Sequence, residues 1–158
     1  MRGITRVADA IGKGVIAGVV GTAAMTASST IEAKLRGRPS STAPAKAAAR
    51  ALGIETFDDG EAYARFSNLV HWGYGTGWGV ARGVLRAFGV RPRLATAAHF
   101  ATLWGSSLYS LPKYDVAPPV TEWAAEDVAI DVLHHLVYVS ATAAAFELLD
   151  RLAARSEG

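Results

Sequence analysis

Residues 14–31 read GVIAGVVGTAAMTASSTI, a run without a formal charge, bounded by Lys13 on one side and by Glu32, Lys34, Arg36 and Arg38 on the other. Eighteen uncharged residues meet the lower limit for a helix that crosses a bilayer, and basic flanks are the usual anchors at its ends. The first half is apolar all round and shows no polar face before Thr22, which is unlike the surface helix of a soluble bundle. Two readings compete. Arg2 and Arg6 ahead of an apolar run also fit a signal peptide, and a soluble helical bundle would suit the more interrupted segments downstream.

Three further segments follow. Residues 65–90 are aromatic and glycine-rich but interrupted by His71, Arg82 and Arg86; residues 94–112 carry no formal charge and one histidine, His99; residues 128–149 hold Asp131, His134, His135 and Glu147. The expected fold is all-α: one integral membrane bundle of about four transmembrane helices over residues 14–33, 65–90, 94–112 and 128–149. At 158 residues the chain has room for a single domain.

Composition narrows the function classes. There is no cysteine, which excludes disulfides, thiolate metal sites and a cysteine nucleophile. The net charge of +2 is too small, and the basic residues too dispersed among helix ends, to argue for nucleic acid. A mean hydropathy of +0.20 is low for a membrane protein, so the membrane expectation rests on the local runs and not on the average.

Between the first two segments, Gly37 and Pro39 should stop the first helix. Thr42 as a cap, Pro44 in the first turn and Gly53 as a stop predict a short interfacial helix over residues 44–52. The short connections set orientation. Arg86, Arg91 and Arg93 place the second connection in the cytoplasm, and Asp115, Glu122, Glu126 and Asp127 suit the outer side, so both termini are expected to be cytoplasmic. The basic residues of the first loop dissent from this orientation.

Gly14, Gly18 and Gly21 share one helix face, continued by Met25, Ser28 and Glu32, and Gly75, Gly79 and Gly83 repeat the four-residue spacing in the second segment. Small residues so spaced let another backbone approach closely. The partner is either the other segment of the same chain or a second subunit. A short internal likeness accompanies them: His71-Trp72-Gly73-Tyr74 opens the core of the second segment as His135-Leu136-Val137-Tyr138 opens that of the fourth. A two-plus-two hairpin repeat would bring those histidines to similar depth.

Ionisable groups inside an apolar segment are the candidate polar site, because burying them in hydrocarbon is costly unless they are paired or hydrated. They are His71, Arg82, His99, Asp131 and His135. His71, Trp78 and Arg82 should share a face; His99, Thr102, Ser106 and Ser110 form a polar stripe; Asp131 and His135, at i and i+4, would let a carboxylate orient an imidazole. No complete catalytic set, phosphate loop or dinucleotide fingerprint is present, and no cofactor is required by the sequence.

Several of these residues also carry a family likeness. Gly14-Val-Ile-Ala-Gly-Val-Val20 in the first segment, and the succession Leu111-Pro112, Ala117-Pro118-Pro119-Val120, Trp123, Asp127, Asp131 and His135-Leu136-Val137-Tyr138, resemble the YagU-like family of bacterial inner-membrane proteins. The likeness covers about half the chain, and His134 stands where that family usually has a small residue. It implies a helical, multi-pass inner-membrane protein and supplies no activity. The expected role is a non-enzymatic accessory subunit or homo-oligomer that packs through small-residue faces, in contact with the lipid bilayer. The alternative is a conduit or binding site for protons, a metal ion or a small solute, built on the intramembrane histidines.

Overall fold

A computed structural model describes residues 2–156. Five helices account for nearly all of them: α1 (Arg2–Leu35), α2 (Ala43–Ala51), α3 (Gly60–Ala87), α4 (Pro92–Lys113) and α5 (Ala125–Ser156), with one 3-10 turn at Val120–Glu122 before α5. The described residues include no strand. The chain is all-α, and each expected span lies within a long helix except residues 88–90, where Gly89 (φ 78°) turns the chain out of α3.

The helix ends follow local rules. Gly37, Gly53 and Gly89 adopt positive φ just past α1, α2 and α3, and in each case the next residue's N–H donates to a carbonyl five residues back. That is the Schellman closure, which needs a left-handed residue and so favours glycine. Asp115 takes the same position after α4, at φ 51°. At the other end of α3, the Asp59 carboxylate accepts the Ala62 N–H at 2.7 Å, so the helix begins five residues before the expected span. Thr42 precedes α2 but makes no side-chain cap; Ser41 Oγ accepts the Ala43 N–H instead.

Helix α1 packs most extensively against α3 and α5, and α4 closes the bundle between those two. Contacts along each pair fix the directions. Gly14 lies against Gly79 and Thr26 bonds His71, so α1 and α3 are antiparallel. Lys13 meets Asp150 and Ser28 meets His134, so α1 and α5 are antiparallel as well. The result is an up-down-up-down bundle with the amino terminus, the α3–α4 connection and the carboxyl terminus at one end. The other end carries α2.

The glycine rows meet inside the chain. A Cβ on Gly14 would lie 2.5 Å from the Gly79 carbonyl oxygen, one on Gly18 2.9 Å from that of Thr76, and one on Gly83 against the Ala10 carbonyl. Gly75 is filled by the Thr22 side chain, whereas Gly21 faces α5, against Thr142 and Tyr138. Absence of side chains is what lets the α1 and α3 backbones touch.

Two helices, α1 and α5, are long and apolar enough to cross a membrane, each with a window of mean hydropathy 1.4. Arginines lower the hydropathy of α3, and that of α4 is lowered by His99, three serines, Tyr109 and the charges at its ends, Arg93 and Lys113. Only 28% of either apolar window is buried within the chain. Large aliphatics such as Ile16, Val19, Val20, Leu133 and Leu148 point outward, while Thr22, Arg82, His99, His134, His135 and Thr142 are buried. Exposed apolar faces around a polar-rich interior are the informative deviation from a soluble domain.

Replacing Gly18 by leucine should force α1 and α3 apart and cost more than the ~1–3 kcal/mol of ordinary overpacking. Val19→Leu, on the outward face, should be nearly neutral. Thermal unfolding of both variants in detergent checks this, and equal behaviour would remove the close contact from the account of stability.

Candidate functional site

The polar residues of the bundle divide into two groups at opposite ends. At the α2 end, the four long helices splay around a cavity of about 630 Å³, roofed by Ala43, Pro44, Ala47, Ala48 and Ala51 of α2. His71, Asp131, His134 and His135 line it, with Glu32, Arg36, Arg38 and Asp127 at the mouth and Thr22, Gly75, Leu103 and Tyr138 at the floor. Its size is within the range of small-molecule sites, roughly 300–1,000 Å³.

Each histidine is held differently. His71 Nε2 is 2.7 Å from Thr26 Oγ. His135 Nδ1 donates to the Asp131 backbone carbonyl at 2.8 Å and lies farther, 3.5 Å, from the Asp131 carboxylate. The carboxylate expected to orient that ring instead accepts the Trp104 indole N–H at 2.8 Å. The backbone carbonyl therefore sets the His135 ring, and Asp131 ties α5 to α4. His134 Nδ1 lies 2.9 Å from Ser28 Oγ, and its Nε2, buried and without a hydrogen-bond partner, is 3.6 Å from Glu32. His71 and His135 line one cavity without bonding each other.

At the mouth Glu32, Arg36 and Arg38 are paired. Arg38 forms a two-pronged ion pair with Glu32, whose hydrogen bond raises the guanidinium pKa above its ordinary value. Arg36 lies 3.5 Å from Glu32 and 2.8 Å from Glu126. Among the described residues, no three histidine or carboxylate side chains converge closely enough to hold a metal ion.

The second group lies at the end that carries the termini. Arg82, fully buried, donates to Glu147 at 3.2 Å, to Thr96 Oγ at 3.1 Å and to the Pro92 carbonyl at 3.2 Å, with its guanidinium over the Phe146 ring. Arg86 extends the network to Glu147 and Asp150, and Lys13 joins Asp150 to Asp9. Arg82 thus belongs with Glu147 and not with His71, three turns away on α3.

His99 belongs to neither group. It is buried between Trp78 and Tyr138, at ring-centroid distances of 6.2 and 5.7 Å, and neither ring nitrogen has a hydrogen-bond partner. Thr102 bonds its own helix, and Ser106 donates to its own helix while accepting from the Tyr74 hydroxyl at 3.2 Å; of the stripe expected from His99 to Ser110, Ser110 alone lines the cavity.

Sequence reasoning missed Thr26, Ser28 and Trp104 as partners of His71, His134 and Asp131. The one usable signal for the first was Thr22 and Thr26 at i and i+4 on a helix that must meet a histidine-bearing neighbour. Glu147 was visible as a charge in the fourth segment, but its pairing with Arg82 spans 65 residues and has no local trace.

Glu147→Gln should leave Arg82 with a buried, uncompensated charge and cost about 3–5 kcal/mol. The double variant Arg82→Met with Glu147→Met should recover most of that in a thermal-unfolding series. Comparable losses for single and double variants would mean that the pair is not coupled.

No protein-family model matches the chain, and no curated protein or solved structure matches it.

Proposed function

We propose that this chain is a non-enzymatic, four-span membrane protein, crossing with α1, α3, α4 and α5, that holds or passes a small solute in the cavity under α2. The observation that carries the reading is the cavity itself: about 630 Å³ between four helices, with three histidines and Asp131 around its wall. Ionisable side chains at membrane depth gather around a hydrated space or pair with one another. Here His71, His134 and His135 do the former and Arg82 with Glu147 the latter.

The outward aliphatic faces of α1 and α5 support the membrane setting. In α3, Arg82 is turned inward and paired, so lipid need not meet it, and the exposed Arg65 lies in the first two turns, paired with Glu61. Arg86, Arg91 and Arg93 lie at the end shared by both termini, which supports a cytoplasmic location for that end and an outward-facing cavity. Of the residues that carry the resemblance to YagU-like inner-membrane proteins, Leu111, Trp123, Asp127, Asp131, His135 and Tyr138 line the cavity, whereas residues 14–20, Pro112, residues 117–120, Leu136 and Val137 do not. The gathering of the first six at one place supports that kinship. His71 and Tyr74 on α3 face the same space as His135 and Tyr138 on α5, as a two-plus-two repeat would have it.

The accessory-subunit reading has less behind it. Gly14, Gly18, Gly79 and Gly83 are taken up between α1 and α3, and Gly21 and Gly75 are filled from within the chain. Of the glycines left over, Gly73 and Gly77 on α3 are exposed and have nothing within 4 Å, so a homo-oligomer would use that short face or the aliphatic outer surfaces, which lipid satisfies equally well.

Single cysteines test orientation and cavity together. Ser41→Cys and Val120→Cys should react with an impermeant reagent from outside, Arg91→Cys should not, and Ser107→Cys, in the cavity wall, should react slowly with a small water-soluble reagent from the outer side. Labelling at Arg91 inverts the orientation. An inert Ser107→Cys in folded protein removes the hydrated cavity, and recovery of the protein in the soluble fraction removes the membrane.

A further inference from the structure

Along the four long helices, the hydroxyls that line the cavity under α2 offer few free hydrogen-bond donors; the Ser40, Ser41 and Tyr114 hydroxyls lie outside those helices. The hydroxyls of Thr22, Ser29, Ser107, Ser110 and Tyr138 all donate to backbone carbonyls, so each presents only oxygen lone pairs to the space it lines. Thr26 behaves likewise, giving its one hydrogen to the Thr22 carbonyl at 2.7 Å. Its oxygen must therefore accept from His71 Nε2, which fixes that ring's proton and leaves Nδ1 as an acceptor in the neutral imidazole. In His135 the proton is fixed on Nδ1 by the Asp131 carbonyl, which leaves Nε2 as the acceptor. Two of the three histidines thus offer bare nitrogens.

Charge has the same sense. Three carboxylates, Glu32, Asp127 and Asp131, line the cavity against two guanidinium groups, and both arginines are already engaged by Glu32 and Glu126. The Nε2 of His134 is buried beside the Glu32 carboxylate at 3.6 Å and so adds no free donor to the space. Apart from Ser40 and Ser41, the remaining lining is mainly apolar and aromatic, including Met25, Leu103, Leu111 and Ile130, with Tyr74 and Trp123.

We infer that the cavity binds an organic cation, a primary ammonium or guanidinium group carried on an apolar body. Such a ligand brings the donors and the positive charge that the wall lacks, and its body meets the aliphatic and alanine surfaces under α2. Aromatic side chains favour cations in the same way. An anion would face carboxylates and lone pairs with no free cationic group to receive it. This assignment rests on the cavity reading proposed above.

The test uses the full chain, purified in a neutral detergent, titrated calorimetrically with three matched probes: 3-phenylpropylammonium, 3-phenylpropanol and 3-phenylpropionate. Ser107→Trp, which fills the cavity, subtracts partition into the micelle. The ammonium probe should bind, the alcohol on the order of tenfold more weakly, and the carboxylate not at all. Asp131→Asn should weaken the ammonium by about tenfold or more, and the exposed Asp127→Asn provides the same comparison should the first variant fail to fold. Equal or tighter binding of the alcohol or carboxylate, lost in Ser107→Trp, overturns the cation assignment and leaves the cavity standing. Binding that survives Ser107→Trp, or no binding by any probe in folded protein, overturns the assignment as well. A failure of the cavity itself is read separately, from an unreactive Ser107→Cys.

Discussion

The architecture depends on the direct backbone contact between α1 and α3. Where two helices meet through glycine, the axes come closer than side chains would allow, and dispersion over the whole length replaces the interdigitation of large residues. This contact makes α1 the central element, flanked by α3 on one side and α5 on the other. It also explains why so few large side chains form the interior: Leu103, Tyr138, Val139 and Phe146 are its main buried hydrophobic bulk, and alanines supply most of the rest.

Tight packing at one level forces looseness at another. From Ala10 to Thr22, α1 is pressed against α3 and Ala17 is fully buried. Beyond Thr22, serine, threonine and glutamate replace glycine, the helices part, and the space between them is filled by polar groups bonded to their own backbones. The cavity is the consequence. Short α2, set between Gly37 and Gly53 and tied to α4 by a hydrogen bond from Arg50 to the Tyr114 carbonyl, covers it from above.

The two ends of the bundle treat charge in opposite ways. At the end with the termini, Arg82, Arg86 and Lys13 are matched by Glu147, Asp150 and Asp9 within a closed network. A buried pair of this kind adds little net stability over apolar packing, but removing one partner is costly, so it defines which helices must meet. At the α2 end, the histidines are oriented by hydroxyl and carbonyl partners, and His71 and His135 each keep a second nitrogen unengaged, whereas that of His134 is buried beside Glu32. Between the two lies His99 with Trp78 and Tyr138, an aromatic layer that separates the network from the cavity.

Much of the fold was legible locally. Uncharged runs and their basic flanks located the long helices, because period and charge are local properties. Gly37 and Gly53 marked two helix ends, because a left-handed residue closes the last turn and glycine adopts it freely. The spacing of Gly14, Gly18, Gly75, Gly79 and Gly83 identified small faces without saying what they meet. Only the tertiary structure decided that they meet one another and that Gly21 turns to α5. It also decided that Arg82 belongs with Glu147, that Asp131 serves Trp104 more than His135, and that His99 stands apart from the cavity. Each of these is a pairing between residues far apart in sequence, fixed by the relative rotation and depth of two helices. A one-dimensional pattern records which face of a helix is polar, but not which neighbour that face will find.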